Sequence, residues 1–526
     1  MKSYYQHLKS TQEFGENQNL LKKPILRSSA IFPVIHNESF SSSIHFLGYW
    51  LLKRNILEVT LIITLRDANG KTILRKTEIF NDAKAYSINL HSLLKEINQE
   101  TKNFLGSIEI EFHTTRDMVF PYPALVLEYH NDSFNTCVHT LGRIYNDLDD
   151  LKENNETQVP ETGFDIHENN DLKSFLSFVN GPIENNDGII QYTVTNHNSQ
   201  KHSGTFHIGK INAFETKLVF LNEHIKNLSE ILDNHSGSIS IRHNFEGFYP
   251  RLLVGNKQIS SHSISFTHSY YDCNTCTSES DYWSRVNEKH HDSSVYVPIF
   301  NRDNEFTNLM IYPNLSPSNL SLKIDLYDQT GQKISESSNF LKINSNEQKL
   351  LKIDLTDFCS SLSSKINGNI AAHIISTFDN NKIPSRIKFG LNVGTKDSIH
   401  HLPCNICFNM KMGNPLIENK PGSFHWAPIL CKRNPIITLG NFSTLKNYTK
   451  DANVELNFYR SEDSSHLTEK ITLPPNSEKR FSINDFGLNQ FLKTEGWVTV
   501  KADNPYIQGF YFNFNNSGSV AGDHFF

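Results

Sequence analysis

Apolar residues in this chain recur at every second position in short runs, and turn residues close each run. Val59, Leu61, Ile63 and Leu65 alternate with other residues and stop at Asp67-Ala68-Asn69-Gly70. The same pattern returns as Leu320, Leu322, Ile324 and Leu326 before Asp328-Gln329-Thr330-Gly331, an offset of 331 − 70 = 261. Ile190, Tyr192 and Val194 precede Asn196, and Val454, Leu456 and Phe458 precede Ser461. A period of two predicts half-buried β-strands, and Asn-Gly supplies the positive φ that a tight turn requires. An apolar pair follows each turn: Ile88/Leu90, Leu218/Phe220, Ile353/Leu355 and Phe481/Ile483. Next comes a short Leu-containing helical turn, such as Leu93-Leu94-Lys95-Glu96-Ile97, and then a glycine with alternating apolar residues.

That glycine phrase sets the register of the whole chain. It reads Gly106-Ser107-Ile108-Glu109-Ile110, Gly237-Ser238-Ile239-Ser240-Ile241, Gly368-Asn369-Ile370 and Gly496-Trp497-Val498. The intervals are 237 − 106 = 131, 368 − 237 = 131 and 496 − 368 = 128. A fixed period of this size marks duplicated domains. Short alternating strands separated by turns predict antiparallel sheets folded into sandwiches. The expected architecture is all-β: four tandem antiparallel β-sandwich repeats of about 130 residues. Their boundaries fall at residues 30–150, 170–275, 292–410 and 422–526, with 1–29 as a polar N-terminal arm. Residues 145–172 form an acidic linker.

Composition supports this and narrows the function. The chain of 526 residues holds 36 Phe and 19 Tyr but only 5 Met, a balance that suits pleated surfaces. Net charge is −6 with no long basic run, which argues against nucleic acid as a partner. No apolar stretch approaches the roughly 18 residues that span a bilayer, and the N-terminus has no signal-peptide core. The expected location is the cytoplasm. Seven cysteines, an odd number, do not form a secreted disulfide framework. The abundant Asn, Lys and Ile fit an AT-rich, bacterial genome.

The last repeat runs Val454-Glu455-Leu456-Asn457-Phe458, Ile471-Thr472-Leu473-Pro474, Phe481-Ser482-Ile483-Asn484-Asp485 and Trp497-Val498-Thr499-Val500. This order resembles the small β-sandwich family of bacterial sensory-rhodopsin transducers, over about 80 residues of each repeat. The resemblance implies a cytosolic sandwich that assembles as a fourfold ring and acts by binding without catalysis. Four joined repeats would mimic such a ring. The long linkers and paired cysteines depart from the family.

Three groups of residues are candidates for chemistry. Cys273-Asn274-Thr275-Cys276 and Cys404-Asn405-Ile406-Cys407 are Cys-x-x-Cys pairs 404 − 273 = 131 apart, matched by the half-motif ending at Cys137. Two such pairs make a Cys₄ zinc set, with His268, His400 or His401 as substitutes, although compact zinc ribbons separate their pairs by only about 15–20 residues. The alternatives are buried apolar thiols, which are favoured, and redox chemistry. The 24 histidines include His45 and His425 in opening strands and His139, His268, His401 and His524 near closing ones. They line a shared cleft or, on the preferred reading, bond to backbone at strand ends. The aromatic clusters around Trp50, Trp283 and Trp426 either stack on sugars or pack between domains, packing being preferred. No nucleophile elbow, phosphate loop or dinucleotide fingerprint is present. The resulting expectation is a non-enzymatic binding or scaffolding protein whose partner is a glycan or another protein. The alternative is a metal-dependent or glycan-active enzyme with its site at a repeat junction.

Overall fold

The computed structural model describes residues 24–526 except 100–101, 140–141, 146–160, 163, 250, 272–281, 284–287, 303, 314–315, 317, 346, 361–367, 385–386, 397–399 and 401. The fold is all-β, and the sheets are antiparallel. Contacts divide the chain into two compact units, Met1–Tyr271 with Glu462–Ser464, and Asp272–Ser461 with Ser465–Phe526.

The first unit begins with β1 (Arg27–His36), β2 (Ser41–Leu47), β3 (Val59–Asp67), β4 (Thr72–Phe80), β5 (Ala85–Asn89), β6 (Phe104–His113), β7 (Leu125–His130) and β8 (Asn135–His139). They form two sheets, ordered β1-β6-β3-β4 and β5-β2-β7-β8. The next eight strands are β9 (Asp165–Ile166), β10 (Leu172–Val179), β11 (Asn185–Thr195), β12 (Lys201–Ile211), β13 (Thr216–Phe220), β14 (Gly237–His243), β15 (Leu253–Gln258) and β16 (Ile264–His268). Their sheets run β12-β11-β14, continued beside β14 by the two-residue strands Glu161–Thr162 and Tyr270–Tyr271 and with β9 also paired to β14, and β13-β10-β15-β16.

The second unit opens with β17 (Ser293–Ile299), β18 (Glu305–Ile311), β19 (Leu320–Asp328), β20 (Lys333–Ile343), β21 (Leu351–Asp354), β22 (Ile370–Phe378), β23 (Lys388–Thr395) and β24 (Cys404–Asn409). It closes with β25 (Ser423–Leu430), β26 (Pro435–Asn441), β27 (Ala452–Arg460), β28 (His466–Leu473), β29 (Glu478–Ser482), β30 (Glu495–Ala502), β31 (Ile507–Phe514) and β32 (Val520–His524). Their sheets are β20-β19-β22-β17 with β21-β18-β23-β24, then β25-β30-β27-β28 with β29-β26-β31-β32. One strand order therefore recurs in four successive stretches.

The alternation explains the cores. Val59, Leu61, Ile63 and Leu65 of β3 are buried, as are Leu320, Leu322, Ile324 and Leu326 of β19. In the second sandwich, Ile190, Val194, Ile239 and Ile241 pack against Leu176, Phe178, Val219 and Val254 of the opposing sheet. One expected pair is corrected here. Leu218 and Phe220 are only half-buried, and Val219 and Leu221 fill the core instead. Val219 and Leu221 occupy the places that Ile88 and Leu90 hold in the first sandwich, and an offset of one residue along a strand exchanges the two faces.

The turns share one device. The side-chain oxygen of Asp67 accepts from the N–H groups of Asn69 and Lys71, at 3.0 and 2.9 Å. Asp328 does the same for Thr330 and Gln332, and Asn196 for Asn198 and Gln200. The glycine that launches β14 or β30 answers to crowding. A Cβ on Gly237 would lie 2.5 Å from Leu232 Cδ2 and 2.9 Å from the Thr195 carbonyl, and one on Gly496 would lie 2.6 Å from Leu492 Cδ2 and 2.8 Å from the Tyr459 carbonyl. The short helices Leu228–Leu232 and Leu488–Leu492 can seat their last leucine only because no side chain stands there.

Within each unit the closing strands pack together, β8 with β16 and β24 with β32. In the first, Phe266 N–H donates to Thr136 Oγ1 at 3.2 Å and the rings of His139 and His268 meet edge to face at 4.6 Å. In the second, Tyr296 stacks on Phe442 at 5.1 Å and Phe300 meets Phe512 at 4.8 Å.

Candidate functional site

The aromatic and histidine candidates lie mainly inside the protein. Trp50 is 1% exposed, on the helical turn Tyr49–Lys53, stacked on Tyr49 at 4.2 Å. Trp426 on β25 is also buried, stacked on Phe526 at 5.9 Å. Half-buried His425 holds the Phe526 carbonyl through Nδ1 at 3.0 Å, which ties down the chain end. Trp283 pairs through its backbone with Ile383.

His45 is buried on β2, with Nε2 3.0 Å from Glu128 Oε2 on β7. Glu128 also accepts from Asn135 Nδ2 at 2.9 Å. Ser43 Oγ lies 2.8 Å from His130 Nε2, and the same nitrogen is 4.0 Å from Glu128. A serine, a histidine and a carboxylate thus meet without forming a relay, because a triad uses opposite nitrogens of the imidazole. The cluster satisfies buried polar groups.

Of the cysteine and histidine set, Cys273, Cys276 and His401 lie outside the described residues. His268 is buried, with Nδ1 2.9 Å from the Ser269 carbonyl. Cys404 and Cys407 are both buried and unbridged on β24. A spacing of three along a strand puts them on opposite faces. Cys404 joins Ile406 and Phe408 in the core, while Cys407 Sγ lies 3.8 Å from Asn405 Oδ1. Burial pushes the Cys404 thiol up to about 12.

One surface feature was not singled out by motif. It is a trough of about 520 Å³ on the β12-β11-β14 sheet. Three rungs form it: Thr205–Gln191–Arg242, Gly204–Tyr192–Ile241 and Ser203–Thr193–Ser240. The middle rung turns inward, with Ile241 buried and Tyr192 packed on the core over Gly204. The outer rungs therefore present Gln191, Thr193, Ser203, Thr205, Ser240 and Arg242 on one face. All six are exposed or half-exposed, and Thr193 Oγ1 is 2.8 Å from Ser203 Oγ across the strands. The floor offers hydroxyls, an amide and a guanidinium, with no carboxylate among the described lining residues. The signal was available as the polar half of the same alternation that marks Ile190, Tyr192 and Val194.

A second cleft, of about 290 Å³, is lined in the second unit by Phe300, Arg302, Glu305, Asn369, Arg480 and Asp485 among others. Its carboxylates are engaged locally: Glu305 accepts from Arg302 N–H at 3.2 Å, and Asp485 from Ser482 N–H at 2.8 Å.

No protein-family model matches the chain, and no curated protein matches it. Solved structures align only faintly, two of them as follows. One is a glycosyl hydrolase family 2 member from Bacteroides cellulosilyticus, at 8% identity and a TM-score of 0.10, over 44% of this chain and 25% of that one. The other is a family 2 member from Bacteroides cellulosilyticus DSM 14838, at 8% and 0.10, over 46% and 30%. The chain spans under a third of either, and likeness at this level carries no argument. Among the described residues, no helix is long and apolar enough to cross a membrane.

Proposed function

We propose that the chain is a non-enzymatic recognition protein, and that the trough on the second sandwich takes a polyhydroxylated ligand, a glycan. The carrying observation is the composition of the two outer rungs. Thr193, Ser203, Thr205 and Ser240 each supply a hydroxyl that donates and accepts, Gln191 adds an amide, and Arg242 adds a fork of donors. A sugar's hydroxyls have the same dual character. The strands hold these groups on rigid backbone, so little ordering accompanies binding. The described lining residues include no carboxylate pair of the kind on which glycoside hydrolysis depends, which favours binding over turnover.

A glycan array probed with the intact chain tests this reading. Binding to a subset of oligosaccharides, lost in Arg242→Ala and Thr193→Ala chains that keep their circular dichroism, is the expected result. Silence across the array, or binding unchanged in both variants, removes the reading.

A further inference from the structure

We infer that His197, Asp233 and His235, at the end of the second sandwich, form a binding site for a divalent transition-metal ion. One ring nitrogen from each histidine and a carboxylate oxygen of Asp233 all lie within 4.8 Å of one another. The two imidazole rings are 4.0 Å apart between centroids, at 37°. His197 is half-buried, and its Nδ1 is covered with no hydrogen-bond partner among the described residues. A buried ring nitrogen without a partner is uncommon, and a coordinated ion would satisfy it.

The residues come from separate stretches, and the fold brings them together by two visible means. Asn196 organises the β11–β12 turn that carries His197, and its Nδ2 also donates to the Ile231 carbonyl at 3.2 Å. That bond ties the turn to the end of the helix Leu228–Leu232. Beyond the helix, Asp233 and Asn234 both adopt positive φ, 48° and 58°, and His235 N–H returns to the Leu232 carbonyl at 2.9 Å. Leu232 is fully buried and anchors the arrangement. The chain therefore doubles back so that Asp233 and His235 face His197.

The donor set selects the ion. Two imidazoles and one carboxylate suit Zn²⁺ and its neighbours, whereas Ca²⁺ and Mg²⁺ prefer all-oxygen sites. Ligand atoms around a tetrahedral zinc stand roughly 3.4 Å apart at bonds of about 2.0–2.1 Å, so side-chain rotation alone closes the present spacing. Asp233 and His235 are exposed and free to make that adjustment. Three protein ligands leave a position open to water or to a further donor.

Titration calorimetry of the intact chain with Zn²⁺ is the test, beside His235→Ala, His197→Gln and the exposed control His262→Ala. The wild type and the control should bind at this site alike, while each trio variant weakens that binding by at least about tenfold. Loading with Co²⁺ identifies the donors, because nitrogen and oxygen ligation gives no thiolate charge-transfer band. The inference is overturned if the wild type binds no zinc, if the trio variants bind as well as the wild type, or if the cobalt spectrum shows only thiolate ligation.

Discussion

Replacing Arg480 by alanine probes how the two sandwiches of the second unit are joined. Arg480 sits on β29 beside Glu478, its Nε bonded to that carboxylate, and the Glu478 side chain is fully buried. Its Nη2 donates to the carbonyls of Ile299 at 2.8 Å and Ile370 at 3.0 Å, both in the preceding sandwich. The guanidinium also lies over the Phe300 ring at 4.4 Å. Removing one partner of a buried ion pair costs about 3–5 kcal/mol, because the other charge is left uncompensated. The orphaned carbonyls add to this cost, and part of their loss overlaps with it. At about 1.36 kcal/mol per decade, hydrogen-exchange protection of 293–299 and 478–482 should fall by about 2.2 to 3.7 decades.

The pH dependence carries the mechanism. Burial already holds the Glu478 carboxyl above its ordinary value, while Arg480 pulls it down. Without Arg480 it rises further, so the penalty should shrink as pH falls and the carboxyl takes a proton. The pair Glu478→Gln/Arg480→Met should recover most of the loss, since a buried pair replaced by neutral groups of similar volume is often tolerated. A tenfold effect or less from Arg480→Ala, or a double variant as damaged as the single one, would refute this reasoning.

Two further predictions concern buried titratable groups. Burial lowers His373 to about 3, with His291 and then Lys333 and Lys323 adding to it, and lowers His291 to about 4, with Lys446 and Lys323 assisting. Both rings are neutral when folded, so their stabilisation is present above 6.5 and declines below it, by about 1.4 kcal/mol per pH unit for each ring down to its folded value. Urea midpoints followed by Trp426 fluorescence should show that acid limb, and a flat profile would contradict it. Burial also pushes the thiols of Cys359 and Cys404 up to about 12. Iodoacetamide at about pH 8 should therefore leave both unmodified in the native chain and label half-buried Cys431 before either of them, as read by mass spectrometry; prompt labelling of Cys404 would overturn this.

Much of the fold was legible in the residues, because a strand's inward side chains betray its period. Leu320 to Leu326 reads as a strand on paper and is one. Where the alternation meets a helical turn, as at Leu221, the pattern does not say which residue yields, and Leu218 was assigned to the wrong side. The candidate sites were less legible, since sequence motifs favour neighbours. Cys404 and Cys407 look like a chelating pair until a strand's period of two separates their faces. The trough arises from polar residues on three strands, and His197 meets Asp233 and His235 through the bond from Asn196 to Ile231 and the return of the chain after Leu232. Trp50 and Trp426, which suggest sugar stacking by residue type, fill the core because large rings bury the most area.

The central claim, recognition at the β12-β11-β14 trough, is tested most directly by calorimetric titration of the best oligosaccharide from the array. Wild type and Gln191→Ala/Arg242→Ala chains are compared at equal pH and salt. Saturable binding with one site per chain, weakened at least about tenfold in the double variant, is the predicted result. Equal affinity in the two chains, or no saturable heat with any oligosaccharide, would contradict the account.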